Sequence, residues 1–141
     1  MRVNISSGSP LETEIGFSRA VRAGPFVSVA GTAPIGTDGS TVAIGDVYSQ
    51  TRRCIEIAVH AVVEAGAAKE DIVRTRVMLV DIAHWREAAR AHGEAFAAIR
   101  PACTFMEVSG FIDPDRLVEI EFDCVIGSSV SVAQTASGGR R

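Results

Sequence analysis

Ten consecutive residues, Leu117–Ile126, alternate so regularly that they admit little other than a β-strand with two chemically different faces. Val118, Ile120, Phe122, Cys124 and Ile126 make one face apolar. Leu117, Glu119, Glu121, Asp123 and Val125 make the other, which carries three acids. Just upstream, beyond a glycine- and proline-bearing turn, Cys103–Val108 alternates as well, with Cys103, Phe105 and Glu107 on one side. If these two strands pair, Cys103, Glu107 and Glu119 share a surface. The stretch from Arg100 to Glu121, RPACTFMEVSGFIDPDRLVEIE, is therefore where the chain concentrates its reactive side chains.

The remaining elements follow from the same kind of reading. Asp46 is a good N-cap for a helix in which Val47, Cys54, Ile55, Ala58, Val59, Val62 and Val63 keep the helical period, and Gly66 is its stop. Ile72–Val80 alternates as a strand, with Val73, Thr75, Val77 and Leu79 on one side and Arg74, Arg76 and Met78 on the other. Asp81 caps a second helix to about Arg100, burying Trp85, Ala88, Ala89, His92, Ala95, Phe96 and Ile99, and Pro101 ends it. Phe17–Ala23 and Phe26–Ala30 form a hairpin around Gly24–Pro25. The order ββαβαββ predicts an α+β domain over residues 16–127, a loosely held arm over 1–15 and a small polar, disordered tail over 128–141.

Two helices with one apolar stripe each cover only one face of such a sheet. The other face is read as carrying Arg74, Arg76, Met78, Cys103, Phe105, Glu107, Leu117, Glu119 and Glu121. That mixture suits contact with another protein better than water, which points to a homo-oligomer formed through the open face.

At 141 residues the chain is long enough for one domain burying roughly two thirds of its unfolded surface, with no staple required. A net charge of −3, without a basic stripe, gives no reason to expect nucleic acid or an anionic membrane as a partner. Three cysteines, at 54, 103 and 124, with no CxxC pair, read as free thiols in a reducing compartment, hence the cytoplasm. No apolar run reaches the length of a membrane span. The three histidines make neither a spaced pair nor a cluster with cysteine, and GTAPIGTDG lacks the GK[ST] end of a phosphate loop; no metal or cofactor is expected.

The segments IGFSRAV, VSVAGTAPI, IVRTRVMLVDIAHW, RPACTFMEV and VEIE, in this order and spacing, resemble the Rid proteins, the YjgF/YER057c/UK114 family, over roughly residues 15–126. The resemblance implies a chorismate-mutase-like α+β fold of the bacillus type, a homotrimer, and ligand clefts between subunits. In the best-known members the cleft hydrolyses reactive enamines and imines to keto acids and ammonia. That chemistry needs a cation for the substrate carboxylate, a positioned water and a group that manages protons. Carried over residue by residue, the water-holding carboxylate is Glu119, but the arginine of the family's PxR motif falls on Cys103. The early tyrosine falls on Ser18, the serine before the strand glycine on Ala30, and the helix asparagine near Ala89. The chain thus looks like a divergent member in which carboxylate-bearing imines are poor substrates. Two functions follow: a deaminase-type hydrolase of altered specificity, or a non-catalytic trimer that binds a small metabolite or a protein.

The individual residues carry alternatives. Glu119 is either the water-activating group or an interface carboxylate. Cys103 is either a nucleophile, activated by Arg100 or Arg19, or a small residue flooring a cleft. Arg19 and Arg100 are candidates to replace the missing guanidinium. His92 is either a core residue or a cleft acid–base, while His60, with Glu56, and His84 are surface residues. Phe17, Ser18, Ala89, Thr104 and Phe105 complete the expected substrate-binding set.

Overall fold

The alternating strand Val118–Val125 (β6) lies inside the sheet, flanked on both sides by antiparallel neighbours, and everything else is placed by it. The structure is a computed structural model and describes residues 1–129. In chain order the elements are β1 (Arg2–Ile5), α1 (Pro10–Ile15), β2 (Ala20–Ala23), β3 (Phe26–Thr32), α2 (Val47–Glu64), β4 (Ile72–Leu79), α3 (Trp85–Phe96), β5 (Ala102–Glu107) and β6. The six strands form one sheet in the order β1-β2-β3-β6-β4-β5.

The two strands expected to pair do not touch: β4 stands between them. The reason lies in the connections. β4 and β5 are joined through α3, and such a crossover lays the second strand parallel beside the first. β6 then returns antiparallel on the other side of β4. Thr75 faces Cys103 and Val77 faces Phe105 across one ladder, while Met78 faces Glu119 and Arg76 faces Glu121 across the other. Directly opposed residues point to the same side, so Cys103, Phe105 and Glu107 belong to the helix-covered face with Thr75, Val77 and Leu79. Glu119, Glu121 and Asp123 belong to the open face. The expectation that Cys103, Glu107 and Glu119 share a surface is corrected accordingly, and Cys103, Phe105 and Glu107 leave the open-face inventory.

Asp46 caps α2 as expected, accepting from the Ser49 N–H at 3.0 Å. Asp81 caps not α3 itself but a 3₁₀ turn, Ile82–His84, that leads into it. α3 ends at Phe96, four residues early. Trp85, at its first position, is 39% exposed, with the Arg86 guanidinium 4.5 Å over its ring, so it is not a core residue. The core itself is the inner face of β3, β4 and β6 against the helices: Val27, Val29, Cys54, Val77, Phe96, Ile120 and Phe122 are all buried. Phe96 and Phe122 meet edge to face at 5.5 Å.

Residues 2–15 are not a loose arm. Arg2–Ile5 pairs with β2, from Arg2 opposite Ala23 to Ile5 opposite Ala20. α1 follows, with Ser9 as N-cap, Pro10 in the first turn, and Gly16 closing it at φ 89°, a conformation glycine adopts without penalty. The expected tail lies, from Val130 onward, outside the described residues.

Candidate functional site

The open face has one irregularity, and Glu119 lies against it. Where β3 pairs with β6 the register shifts between Val29 and Thr32, which marks a β-bulge at Ala30–Gly31. A Cβ at Gly31 would stand 3.1 Å from Glu119 Oε1, so only glycine lets the carboxylate rest this closely on the bulged backbone. The Gly31 carbonyl accepts from Arg19 Nη2 at 2.9 Å, which pins the bulge from the side of β2. Arg116, in the loop entering β6, brings Nη1 to 3.8 Å from Glu119 Oε2. The result is a carboxylate only 18% exposed, wedged between a glycine bulge and two guanidinium groups.

Burial pushes the Glu119 pKa above the ordinary carboxyl value; Arg116 and Arg19 pull it down without cancelling that effect. Burial likewise lowers the Arg19 pKa, against the attraction of Glu12 and Glu119. Glu12, on α1, is itself 7% exposed and accepts hydrogen bonds from the backbone and hydroxyl of Ser7. Among the described residues, Nε of Arg19 and Nε of Arg116 are buried without a hydrogen-bond partner.

Beside this cluster is an open cleft of about 520 Å³ lined by Glu12, Phe17, Ser18, Val21, Ser28 and Ala30. Of the residues expected from sequence, Glu119, Arg19, Ser18 and Phe17 therefore gather on one side of the sheet. The others do not join them within one chain. Cys103 is exposed on the edge strand β5, on the helix-covered face. Thr104 is exposed opposite Arg76 on the open face, with β4 and β6 between it and the bulge. Ala89 is half-buried on α3. His92 is half-buried on the helix-covered face: its Nε2 lies 2.8 Å from the buried Thr75 hydroxyl, its ring packs on Phe96 and Phe105, and burial lowers its pKa, favouring the neutral ring. Phe105 packs between His92 and Trp85, not over Glu119. Arg100 lies far along the chain's other edge, in a groove with Glu70, Val73 and Pro101.

Sequence reading missed Arg116, Gly31 and Glu12. Arg116 falls in an aperiodic loop and carries no spacing signal. Gly31 reads as the end of a strand, since a bulge is visible only once both partners are placed. Among the described residues no group of three or more His, Cys, Asp or Glu is arranged to hold a metal, and no helix is long and apolar enough to cross a membrane.

The family model described as Endoribonuclease L-PSP matches residues 8–126. The crystal structure of Rv2704 from Mycobacterium tuberculosis, a member of the highly conserved YjgF/YER057c/UK114 family, superposes with a TM-score of 0.81. It is 43% identical, over 89% of this chain and all of that one. The uncharacterized protein SCO2049 of Streptomyces coelicolor is 41% identical over 124 residues, 88% of this chain and 92% of the relative. The RutC family protein PYRAB12510 of Pyrococcus abyssi is 34% identical over 105 residues, 74% of this chain and 82% of its own length. The fold shared with the structural relative is the chorismate-mutase-like α+β arrangement expected from the sequence.

Proposed function

Because the chain belongs to the Endoribonuclease L-PSP family, that of the YjgF/YER057c/UK114 or Rid proteins, we propose that it processes a small molecule by hydrolysing a reactive imine or enamine. The observation that carries this reading is the Glu119 carboxylate, half sunk on the Gly31 bulge with its proton affinity raised. A carboxylate with a raised pKa is a better base towards water. Glu119 takes a proton from the water as the oxygen bonds to the C=N carbon and the π electrons move to nitrogen. Glu119 gives that proton to the nitrogen, forming the tetrahedral amino alcohol. This collapses as Glu119 carries the hydroxyl proton to the nitrogen, the C–N bond breaks and the C=O bond forms, so that ammonia and a carbonyl compound leave. An enamine enters the same route after protonation at carbon, for which protonated Glu119 is the donor.

RNA cleavage, which the matched family description names, finds little support on this surface. The arginines of the open face are paired with acids: Arg76 Nη1 lies 3.2 Å from Glu121 and 3.4 Å from Asp123, and Arg74 4.0 Å from Asp123. Among the described residues, these paired guanidiniums leave no stripe for a phosphate backbone. The three cysteines are free, Cys54 and Cys124 buried, and burial pushes Cys124 up to about 12, consistent with work in a reducing cytoplasm.

The test is ammonia release from a panel of imines made in place by amino-acid and amine oxidases, including 2-iminopropionate. Turnover of at least one, above the uncatalysed rate, is expected. Turnover of none leaves the non-catalytic ligand-binding protein as the function. Gly31→Ala probes the geometry: its Cβ moves the carboxylate by a few tenths of an ångström, so kcat is expected to fall by roughly tenfold with the fold intact by circular dichroism. An unchanged kcat would remove the bulge from the mechanism.

The proposed assembly is a homotrimer. Support comes from the open face, on which the apolar side chains of Met78 and Val125 are only half-buried. Light scattering after size exclusion should give three times the 14.9 kDa chain mass; a monomer would eliminate the intersubunit cleft.

A further inference from the structure

Glu12 is a buried carboxylate that lines a cavity and enters no ion pair among the described residues. It is 7% exposed and forms part of the wall of the cleft of about 520 Å³ beside the bulge. Both hydrogen bonds from Ser7, one from its backbone N–H and one from its hydroxyl, fall on Oε2, which leaves Oε1 for another partner. Burial raises its pKa, but the Ser7 bonds, the Ser6 hydroxyl and the charge of Arg19 outweigh that. The carboxyl is held below its ordinary value and is ionised near neutral pH. A glutamate buried this deeply is rarely left unpaired, because desolvating the charge is costly. The cation belongs in the cleft.

The other walls suit a primary ammonium, whose three N–H donors need three acceptors. Glu12 Oε1 supplies one, and the half-buried hydroxyls of Ser18 and Ser28 line the same cleft. Ser28 Oγ donates to Asp123 Oδ1 at 3.5 Å, so its oxygen is presented as an acceptor. Phe17 and Val21 give apolar surface for a short carbon chain, and the Phe17 ring already carries a cation, the Arg19 guanidinium, 5.8 Å from its centroid. Arg2, at the rim, is exposed and its Nε donates to Asn4 Oδ1 at 3.2 Å; its charge is solvated and does not neutralise Glu12. A metal ion fits less well, since no group of three or more His, Cys, Asp or Glu is gathered to hold one among the described residues.

We propose that Glu12 binds ammonium groups and that this cleft selects small molecules bearing a primary amine. The substrate class, an imine that keeps a second, protonated amine, rests on the hydrolytic reading of Glu119; the binding site does not. Ala30, on the bulge that supports Glu119, lines the same cleft, so a chain anchored at Glu12 has that carboxylate as its neighbour. The absence of an arginine at position 103 then matches a substrate whose charged end is positive.

Butylamine, protonated at neutral pH, is the probe, with butanol and butyrate as neutral and anionic molecules of similar length. In ligand-observed NMR at low ionic strength, butylammonium should bind the native protein, and the other two should bind at least about tenfold more weakly, the value of hydrogen bonds to a charged group. Glu12→Gln keeps an acceptor for Ser7 and removes the charge. It should weaken butylammonium by about 10- to 100-fold and leave butanol unchanged. E12D, with the charge on a shorter arm, should fall between. Loss of butylammonium binding in E119Q but not in E12Q would put the cation on Glu119 and overturn the proposal. Thermal unfolding reports whether each variant folds; if neither Glu12 variant does, the amide signals of Ser7 and Ser18 in the native protein decide, since butylammonium should shift them. Unmoved signals, equal binding of the three probes, no binding by the native protein, or binding indifferent to E12Q would each overturn it. In turnover, the imine that an amine oxidase makes from hexamethylenediamine should have a lower KM than that from hexylamine in the native protein and not in E12Q; equal KM values in the native protein would overturn the substrate class. Butylammonium binding that depends on Glu12 in a protein that hydrolyses no imine would refute the hydrolytic reading and uphold the site.

Discussion

Glu119→Gln is expected to leave a folded protein that has lost its imine turnover, with kcat lower by about 10²- to 10⁴-fold, the usual contribution of a positioned general base. Glutamine has the same shape as the carboxyl group but cannot take a proton from water. On the proposed hydrolysis, the native protein should show kcat/KM rising with pH through a pKa above the ordinary glutamate range, because burial raises it and only the ionised form is the base. The stability effect has the opposite sense. A carboxyl whose pKa is higher folded than unfolded binds its proton more tightly in the native state, so ionising it destabilises the fold. Below the ordinary carboxyl range the group is protonated in both states and the cost is absent. It develops as pH rises from that range through the raised native value, and is constant above. Thermal unfolding of E119Q should therefore match the native protein in acid and exceed it at neutral pH. If E119Q is instead the less stable at neutral pH, the attraction of Arg116 and Arg19 outweighs burial, and the account of why Glu119 is basic fails.

That pairing of a costly charge with a proposed catalytic role is only half visible in the sequence. Strict alternation told which residues of β6 share a face, and an apolar set of five told which face is inside, so Glu119 was placed correctly. β5 has no such asymmetry. Cys103, Phe105 and Glu107 are no more apolar than Thr104, Met106 and Val108, so periodicity separated the two sets without saying which faces the helices. The topology decided it, through the parallel crossover from β4. The N-terminal segment was legible in principle: Ser9, Pro10 and Gly16 are cap, first turn and stop, and they were outweighed by the polar composition around them. Arg116 and the bulge were not legible, because one belongs to a loop and the other is a relation between two strands.

The loop that holds Arg116 is tied to α2 by one buried amide, and the second large effect is expected there. Gln50, on the inner side of α2, is fully buried. Its Nε2 donates to Val42 O at 3.2 Å and Asp115 O at 3.0 Å, and its Oε1 accepts from Leu117 N–H at 2.8 Å. One side chain thus ties the loop before α2 and the loop before β6 to the helix. Gln50→Leu keeps most of the volume and removes every one of these bonds, leaving two carbonyls and an N–H of part-buried backbone without their partner. At about 1–3 kcal/mol for each unsatisfied buried group, the loss should be roughly 3–6 kcal/mol, a large part of the stability of a domain this size. Urea unfolding should show a lower midpoint with an unchanged slope, as expected when the native state alone is affected. A loss under about 1 kcal/mol would mean that the loops are held by other contacts.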